Sequence, residues 1–487
     1  MDRYISKPHG IVISAPYQGH INPFVSLALK LASNGFSITF AHFEHVHHML
    51  SKSQNSNDTN EVDVFLEARE SGLDIRYTTI NDGFPIEYDR GLNMREYWES
   101  LFENFPARVD EFVSSIIESN PSMNHFLVAS TIFHWPASIA KKHKLVNVSL
   151  WAPSALVFSL TYNAEILREH GHFPCKDNIE EEINYIPGVQ TINTKDLMPY
   201  LKESGINTNA HKLIFMAFKQ VEKADFILFN TVQELESDTI SALNKKGQKY
   251  YAIGPLADFS KNLPKNTTVI KSFWSESDCA HWLDSKSPGS VLYVAFGSFV
   301  HTSKKAFQEI AYGLLLSEVN FILVVRSDIV SSIDTEILPT GFIDEIKDRG
   351  LIIPWCNQIE VLSNPAVGGF LTHCGWNSIT ESPITNDQPT NKKLVVEDWK
   401  IGIGLCDGKS INSGIQRDEV AKKIKTFMST LEGYKQEIKK VQAILQCAIE
   451  IDGSSKRNFD QFVKDLKVKI YSNNEESMTN LLHRSYT

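Results

Sequence analysis

The sequence is poor in the features that mark specialised classes of protein. Cysteine is scarce: Cys175, Cys279, Cys356, Cys374, Cys406 and Cys447 are the six, and they are widely separated. None forms a C-x-x-C pair, which excludes a disulfide framework and a zinc knuckle and points to a reducing compartment. No apolar run approaches the roughly 20 residues that cross a bilayer. The short run Gly10 to Ala15, after Lys7 and His9, lacks the long apolar core and small-residue cleavage site of a secretory signal. A soluble, cytoplasmic protein is the expectation. Basic charge is not in excess either. With 48 basic and 58 acidic side chains the net charge is −10, which argues against a dedicated nucleic-acid partner.

What remains is an ordinary globular composition, 42% hydrophobic and 22% charged over 487 residues. It excludes disordered, collagenous and coiled-coil classes, and the length calls for two cores rather than one. Short β-rich runs alternate with helical patterns. Strands are expected at Gly10–Ala15, Ser37–Ala41, Leu73–Thr78, His125–Ala129, Val146–Trp151 and Asp225–Phe229. The second half repeats the scheme at Ser290–Phe296, Asn320–Val325, Gly350–Ile353 and Gly368–Thr372. The first helix reads from Asn22 as N-cap and Pro23 as first helical residue to a stop at Gly35. Strand–helix–strand succession means α/β architecture: two doubly wound parallel sheets facing a cleft. The organisation reads as residues 1–253, a Pro-, Lys-, Asn- and Ser-rich linker at 254–289, a second domain at 290–455, a closing helix at 456–471 and a polar tail at 472–487.

Ligands of such sheets bind beyond the carboxyl ends of the strands. After the first strand comes Pro16-Tyr-Gln-Gly-His20, which places His20 on the loop before the first helix. It reads as a helix-capping histidine or as a general base titrating near neutrality. The corresponding place in the second half is richer. His373 ends a strand, and Cys374-Gly375-Trp376-Asn377-Ser378 opens a helix. Gly375 allows close backbone approach to a ligand, and first-turn N–H groups favour a phosphate. Glu381 lies one turn further on the same face. Gly297-Ser298 closes another strand and offers a hydroxyl.

Competing motifs fall short. Gly402-Ile-Gly404-Leu-Cys-Asp-Gly408 is one residue too long for G-x-G-x-x-G. Gly408-Lys409-Ser410 lacks the leading glycine of a phosphate loop, so the segment reads as a strand running into a turn. In the group His42, Glu44, His45, His47 and His48, helical spacing pairs only His45 with His48. A solvated helix start is the reading, and no metal site.

One ordered set of motifs resembles the plant UDP-glycosyltransferases. Trp355-Cys-Asn-Gln358, Gly368-Gly-Phe370, His373-Cys-Gly-Trp-Asn-Ser378, Glu381 and Asp387-Gln388 follow that family's signature box. Gly19-His20-Ile-Asn-Pro23, Asp82-Gly-Phe-Pro85, Ile186-Pro-Gly188, Phe229-Asn-Thr231, Ile253-Gly-Pro255, Trp282-Leu-Asp284 and Phe296-Gly-Ser298 match along the rest of the chain. The resemblance implies the GT-B fold and an inverting transfer of a hexose, glucose by analogy, from a UDP-sugar to a small hydrophobic, hydroxylated secondary metabolite. It implies His20 as base, Trp355 and Gln358 at the uracil, and His373, Gly375, Asn377, Ser378 and Ser298 at the diphosphate. Glu381 would hold the ribose hydroxyls, and Asp387 with Gln388 the sugar. No metal or other cofactor is implied, and a cleft within one chain asks for no second copy.

Two departures stand out. The family's aspartate behind the catalytic histidine aligns with Ser130, which accepts a hydrogen bond but carries no charge. By analogy with a serine-protease triad the loss reaches up to ~10⁴ in rate. The interval between Glu381 and Asp387 is also short by roughly ten residues, enough for one strand and part of its loop. A helix from Asn377 meets Pro383 after about two turns. Only Ile384-Thr-Asn386 then precedes the next helical pattern, Thr390–Trp399, so no strand fits there. A non-catalytic relative that binds UDP or an acceptor is therefore the alternative reading.

Overall fold

The computed structural model describes residues 7–53, 63–177, 179–206, 208–245, 247–256, 274, 276–298, 302–327, 329–330, 337–381, 389–405 and 414–484, except the side chains of 210, 379–381 and 474–484. Seven strands of the first half form one parallel sheet. They are β1 (Pro8–Ile13), β2 (Ser37–Phe43), β3 (Ile75–Ile80), β4 (Asn124–Ser130) and β5 (Val146–Trp151), followed, after a two-stranded antiparallel hairpin of β6 (Glu182–Ile183) and β7 (Ile192–Asn193), by β8 (Phe226–Phe229) and β9 (Tyr250–Ala252). Their order is β3-β2-β1-β4-β5-β8-β9. Every residue of β1, β2 and β5 is buried, as a parallel sheet covered on both faces requires.

The second sheet is smaller. It contains β10 (Val291–Ala295), β11 (Asn320–Val324), β12 (Gly350–Ile353) and β13 (Val367–Thr372) in the order β12-β11-β10-β13. Alternate residues face opposite layers. Leu292 and Val294 join one apolar cluster, whereas Val291, Tyr293 and Ala295 join another. Among the described residues no strand follows β13. Of the segment Gly402–Gly408, expected as a strand running into a turn, the described part ends at Leu405 and pairs with no strand there. Just before it the Ile401 N–H bonds Val395 O at 2.9 Å, and the Ile401 side chain is fully buried. The interval between Glu381 and Asp387, expected to be too short for a strand, lies outside the described residues from position 382 on.

The helix before β2 differs from expectation. It runs Gln18–Ser33, with Tyr17 at its N-cap position, so Asn22 and Pro23 lie inside it and His20 sits in its first turn rather than on a loop. Its end is as expected, with Asn34 at the C-cap and Gly35 at φ +86°. The last helix runs Ser454–Arg484, through the segment read as a polar tail. It crosses back to the first half, where Phe459, Phe462, Val463, Leu466 and Ile470 complete the core of the seven-stranded sheet.

A further apolar cluster belongs to both halves. Leu156, Leu160, Leu167, Ile183 and Leu201 meet Cys374, Trp376, Leu394, Ile401 and Val441. Buried polar bonds reinforce the junction. Ser154 Oγ donates to Asn391 Oδ1 at 2.9 Å, and Thr390 Oγ1 donates to Asp196 O at 2.6 Å.

Candidate active site at two switch points

Each sheet reverses its strand order once, and such points open a crevice beyond the strand ends. In the first sheet the reversal falls between β1 and β4. His20 lies just after β1 and Ser130 ends β4, so topology alone brings these residues together across more than a hundred positions of sequence. Ser130 Oγ is 3.2 Å from His20 Nδ1, and Ser130 is fully buried. Burial lowers the His20 pKa to about 4, so the ring is neutral at physiological pH. With Nδ1–H donated to the serine oxygen, Nε2 is the basic nitrogen.

Aromatic groups line the approach to this pair. Tyr17 lies edge-on to His20 with ring centroids 6.2 Å apart, and Trp98 stacks on Tyr17 at 6.0 Å. Behind them Asp82 is 3% exposed and anchors the loop that follows β3. It accepts from Arg90 Nε at 2.8 Å, Arg90 Nη2 at 2.9 Å and Phe84 N at 3.1 Å, and lies 3.0 Å from His45 Nδ1. Burial alone raises its pKa, but His45 and Arg90 outweigh that and hold the carboxyl well below the usual range. The histidine-rich stretch is thus no solvated helix start. His42 and His45 are buried, and His47 Nδ1 meets Tyr77 OH at 2.8 Å. Apolar and aromatic neighbours took up residues whose sequence spacing reads as surface. Among the described residues no cluster of histidine, cysteine and carboxylate could hold a metal ion.

The second reversal falls between β10 and β13. Ser298 follows β10; His373 to Ser378 follow β13. The His373 ring is clasped by two glycines. A Cβ at Gly297 (φ +69°) would stand 2.3 Å from its Cε1, and one at Gly375 would stand 2.6 Å from its Nε2. Gly375, expected to admit a ligand, therefore makes room for this imidazole. Between them Cys374 is buried at φ +56°, a conformation that costs a non-glycine residue of order 1 kcal/mol. Burial, then the charge of Arg326, lowers the His373 pKa to about 4.

Arg326 is a residue that sequence reasoning missed. It is 1% exposed and donates to the Gly297 carbonyl, so a fixed cation lies under the turn beside His373. Its place just past β11, next to β10, was the available signal. Asn377 and Ser378 occupy the first turn of the helix Trp376–Glu381, and Ser378 is 8% exposed. Trp355 and Gln358 follow β12, three strands from β13, or about 14 Å at the usual strand spacing. Both are half-buried, and the Trp355 carbonyl is fixed by Ser277 N at 2.9 Å. The Glu381 side chain, Asp387 and Gln388 lie outside the described residues.

The halves touch between the two sites. Asn377 Nδ2 donates to Gly19 O at 2.9 Å, one residue before His20. Asn230, which follows β8, donates its Nδ2 to Asn377 Oδ1 at 3.2 Å, and its carbonyl accepts Trp376 Nε1 at 2.6 Å. Sequence reasoning missed Asn230 as well, although it noted the motif Phe229-Asn-Thr231.

Comparison with known proteins agrees with this architecture. The family described as UDP-glucoronosyl and UDP-glucosyl transferase matches residues 276–393. UDP-glycosyltransferase 86A1 of Arabidopsis thaliana is 46% identical over 481 residues, covering 95% of each chain. The 7-deoxyloganetin glucosyltransferase of Catharanthus roseus is 32% identical, covering 96% of this chain and 98% of its own. Among solved structures, Os79 from O. sativa in complex with UDP aligns at a TM-score of 0.77 and 23% identity, over 94% of this chain and all of its own. Two parallel α/β units with their strand ends turned to common ground form the GT-B fold. The chain belongs to the plant UDP-glycosyltransferase family.

Proposed function

We propose that the protein transfers a hexose, glucose by analogy with relatives named glucosyltransferases, from a UDP-sugar to a hydroxyl of a small hydrophobic acceptor, with inversion. The observation that carries this reading is the His20–Ser130 pair, 3.2 Å apart at one switch point and one residue from the bond that Asn377 makes from the other half. His20 Nε2 takes the proton of the acceptor hydroxyl as the oxygen attacks the anomeric carbon. Charge then develops on the departing diphosphate. Neutral His373, Asn377, Ser378 and Ser298 meet it with hydrogen bonds, and Arg326 adds a fixed positive charge beneath them. Trp355 offers its face to the uracil, with Gln358 beside it.

The protein donors take over the neutralisation that a metal performs elsewhere, so the reading includes no metal or other cofactor. It also places the enzyme in the cytoplasm as a monomer. Glu381 toward the ribose, and Asp387 with Gln388 toward the sugar, complete it by family analogy. The test is UDP release from UDP-glucose over a panel of phenolic and terpenoid alcohols, by wild type and by His20→Ala. Release by wild type and none by the variant is expected. No release by correctly folded wild type would favour the non-catalytic alternative.

A further inference from the structure

Proline inside a helix withholds the N–H that would bond the carbonyl four residues back. Pro23 occupies such a position in the helix Gln18–Ser33, and the carbonyl four residues back is Gly19 O. That oxygen accepts Asn377 Nδ2 at 2.9 Å from the other half of the molecule. The far end of the chain of bonds is equally fixed. Leu256 N–H donates to Asn230 Oδ1 at 2.8 Å, and Asn230 is 1% exposed. A backbone N–H can only donate and a carbonyl can only accept, so both amides between them have one permitted orientation. Asn230 turns its oxygen to Leu256 and its NH₂ to Asn377. Asn377 in turn points its oxygen at Asn230 and its NH₂ at Gly19.

We infer that Pro23 and Asn230 are positioning residues that orient the Asn377 amide and tie the donor-side helix to the turn carrying His20. The inference rests on the proposed transfer reaction for its role in turnover, and it adds how the two half-sites are held in one frame. An NH₂ group carries two hydrogens, so the bond to Gly19 O commits one of them and fixes the direction of the other. Occupation of the diphosphate site is thereby felt at the first turn of the His20 helix through one side chain, Asn377, and no intervening loop.

Two variants separate this role from simple structural support. Pro23→Ala returns an N–H to Gly19 O and removes the proline clash, turning that carbonyl back along the helix axis. Thermal stability should hold or rise while kcat falls about tenfold, a split that a merely structural proline would not produce. Asn230→Asp keeps the acceptor for Leu256 but sets an oxygen against Asn377 Oδ1. Its kcat should fall about 10- to 100-fold at pH 8, in line with a buried acceptor left unpaired. At pH 5.5 the protonated acid regains an O–H donor, so the ratio of variant to wild-type kcat should recover severalfold. Taking the ratio at each pH cancels the titration of His20, His373 and Glu236, which both proteins share. Ser454→Ala, which breaks the bond from Ser454 Oγ to Glu234 Oε2 between the last helix and the first half, away from the relay, should lower the unfolding midpoint by a few degrees and leave kcat unchanged.

Hydrogen exchange reads the same coupling without turnover. Residues 18–22 should exchange faster in Asn230→Asp than in wild type, and added UDP should slow them in wild type only. The inference fails if Pro23→Ala retains full kcat, if the deficit of Asn230→Asp is the same at both pH values, or if exchange at 18–22 matches wild type. A wild type with no turnover but with the expected exchange pattern would sink the proposed reaction and leave the coupling standing.

Discussion

The two sheets use the same device with unequal support. In the seven-stranded sheet the β1/β4 reversal has two strands on one side and three on the other. In the four-stranded sheet the β10/β13 reversal has two strands on one side, and β13 is the last strand among the described residues. At the first switch point His20 and Ser130 are bonded directly within one half. At the second, the residues after β13 are held partly from outside, by Asn230, Ser154 and the shared apolar cluster. A switch point needs only the two strands that flank it. The neighbouring strands supply rigidity, and the smaller sheet draws that rigidity from the other half.

The largest test of this contrast is His20→Ala. It should reduce kcat by ~10²–10⁴, the usual worth of a positioned base, and leave UDP affinity unchanged by calorimetry. A large loss of UDP affinity would mean that the two sites are not separable. Next comes Gly297→Ala, which meets both a positive φ and a 2.3 Å approach to His373. UDP binding should weaken about 10- to 100-fold, the 1–3 kcal/mol range of a strained backbone position. Equal affinity in the variant would show that His373 does not serve the diphosphate.

Ser130→Asp should act on the acceptor side alone. A carboxylate beside His20 favours the imidazolium, so the pKa rises from about 4. The acid limb of the rate profile should move to higher pH, and kcat at pH 8 should rise up to about tenfold. An unmoved acid limb would remove His20 from the role of base.

The smallest effect concerns stability. Burial holds His9, His20 and His373 at about 4 in the folded chain, against 6.5 when exposed. Between those values the unfolded chain binds more protons, so stability falls as pH drops from 6.5 toward 4 and levels off below. The unfolding midpoint should decline by several degrees between pH 7 and pH 5. A flat profile would show that these rings are solvated.

Much of this was legible in the sequence for local reasons. Two strands have the expected bounds: Gly350–Ile353, a continuous apolar run, and Val146–Trp151, where Val146, Val148 and Leu150 alternate with Asn147 and Ser149. His20 was marked by its place at a strand end, and Ser130 by the family resemblance. The first helix was misplaced by one turn because Asn22-Pro23 mimics a start signal, whereas the turn before it is held by His20 and Ile21 N–H bonds to Tyr17 O. β9 was missed because three residues, Tyr250–Ala252, carry too little periodicity. Arg326 and Asn230 were missed because their roles lie in contacts with residues far along the chain. The short interval between Glu381 and Asp387, in contrast, could be counted directly, since chain length is a local quantity.

The final helix gives the molecule an order of assembly. Its Phe459, Phe462 and Leu466 fill the core of a sheet whose strands were all made before residue 253. During synthesis the first half therefore emerges with an open apolar trough that the helix Ser454–Arg484 closes later. That core therefore closes only after the second half has been made, and a fragment stopped at Gly453 should aggregate where the longer chain folds.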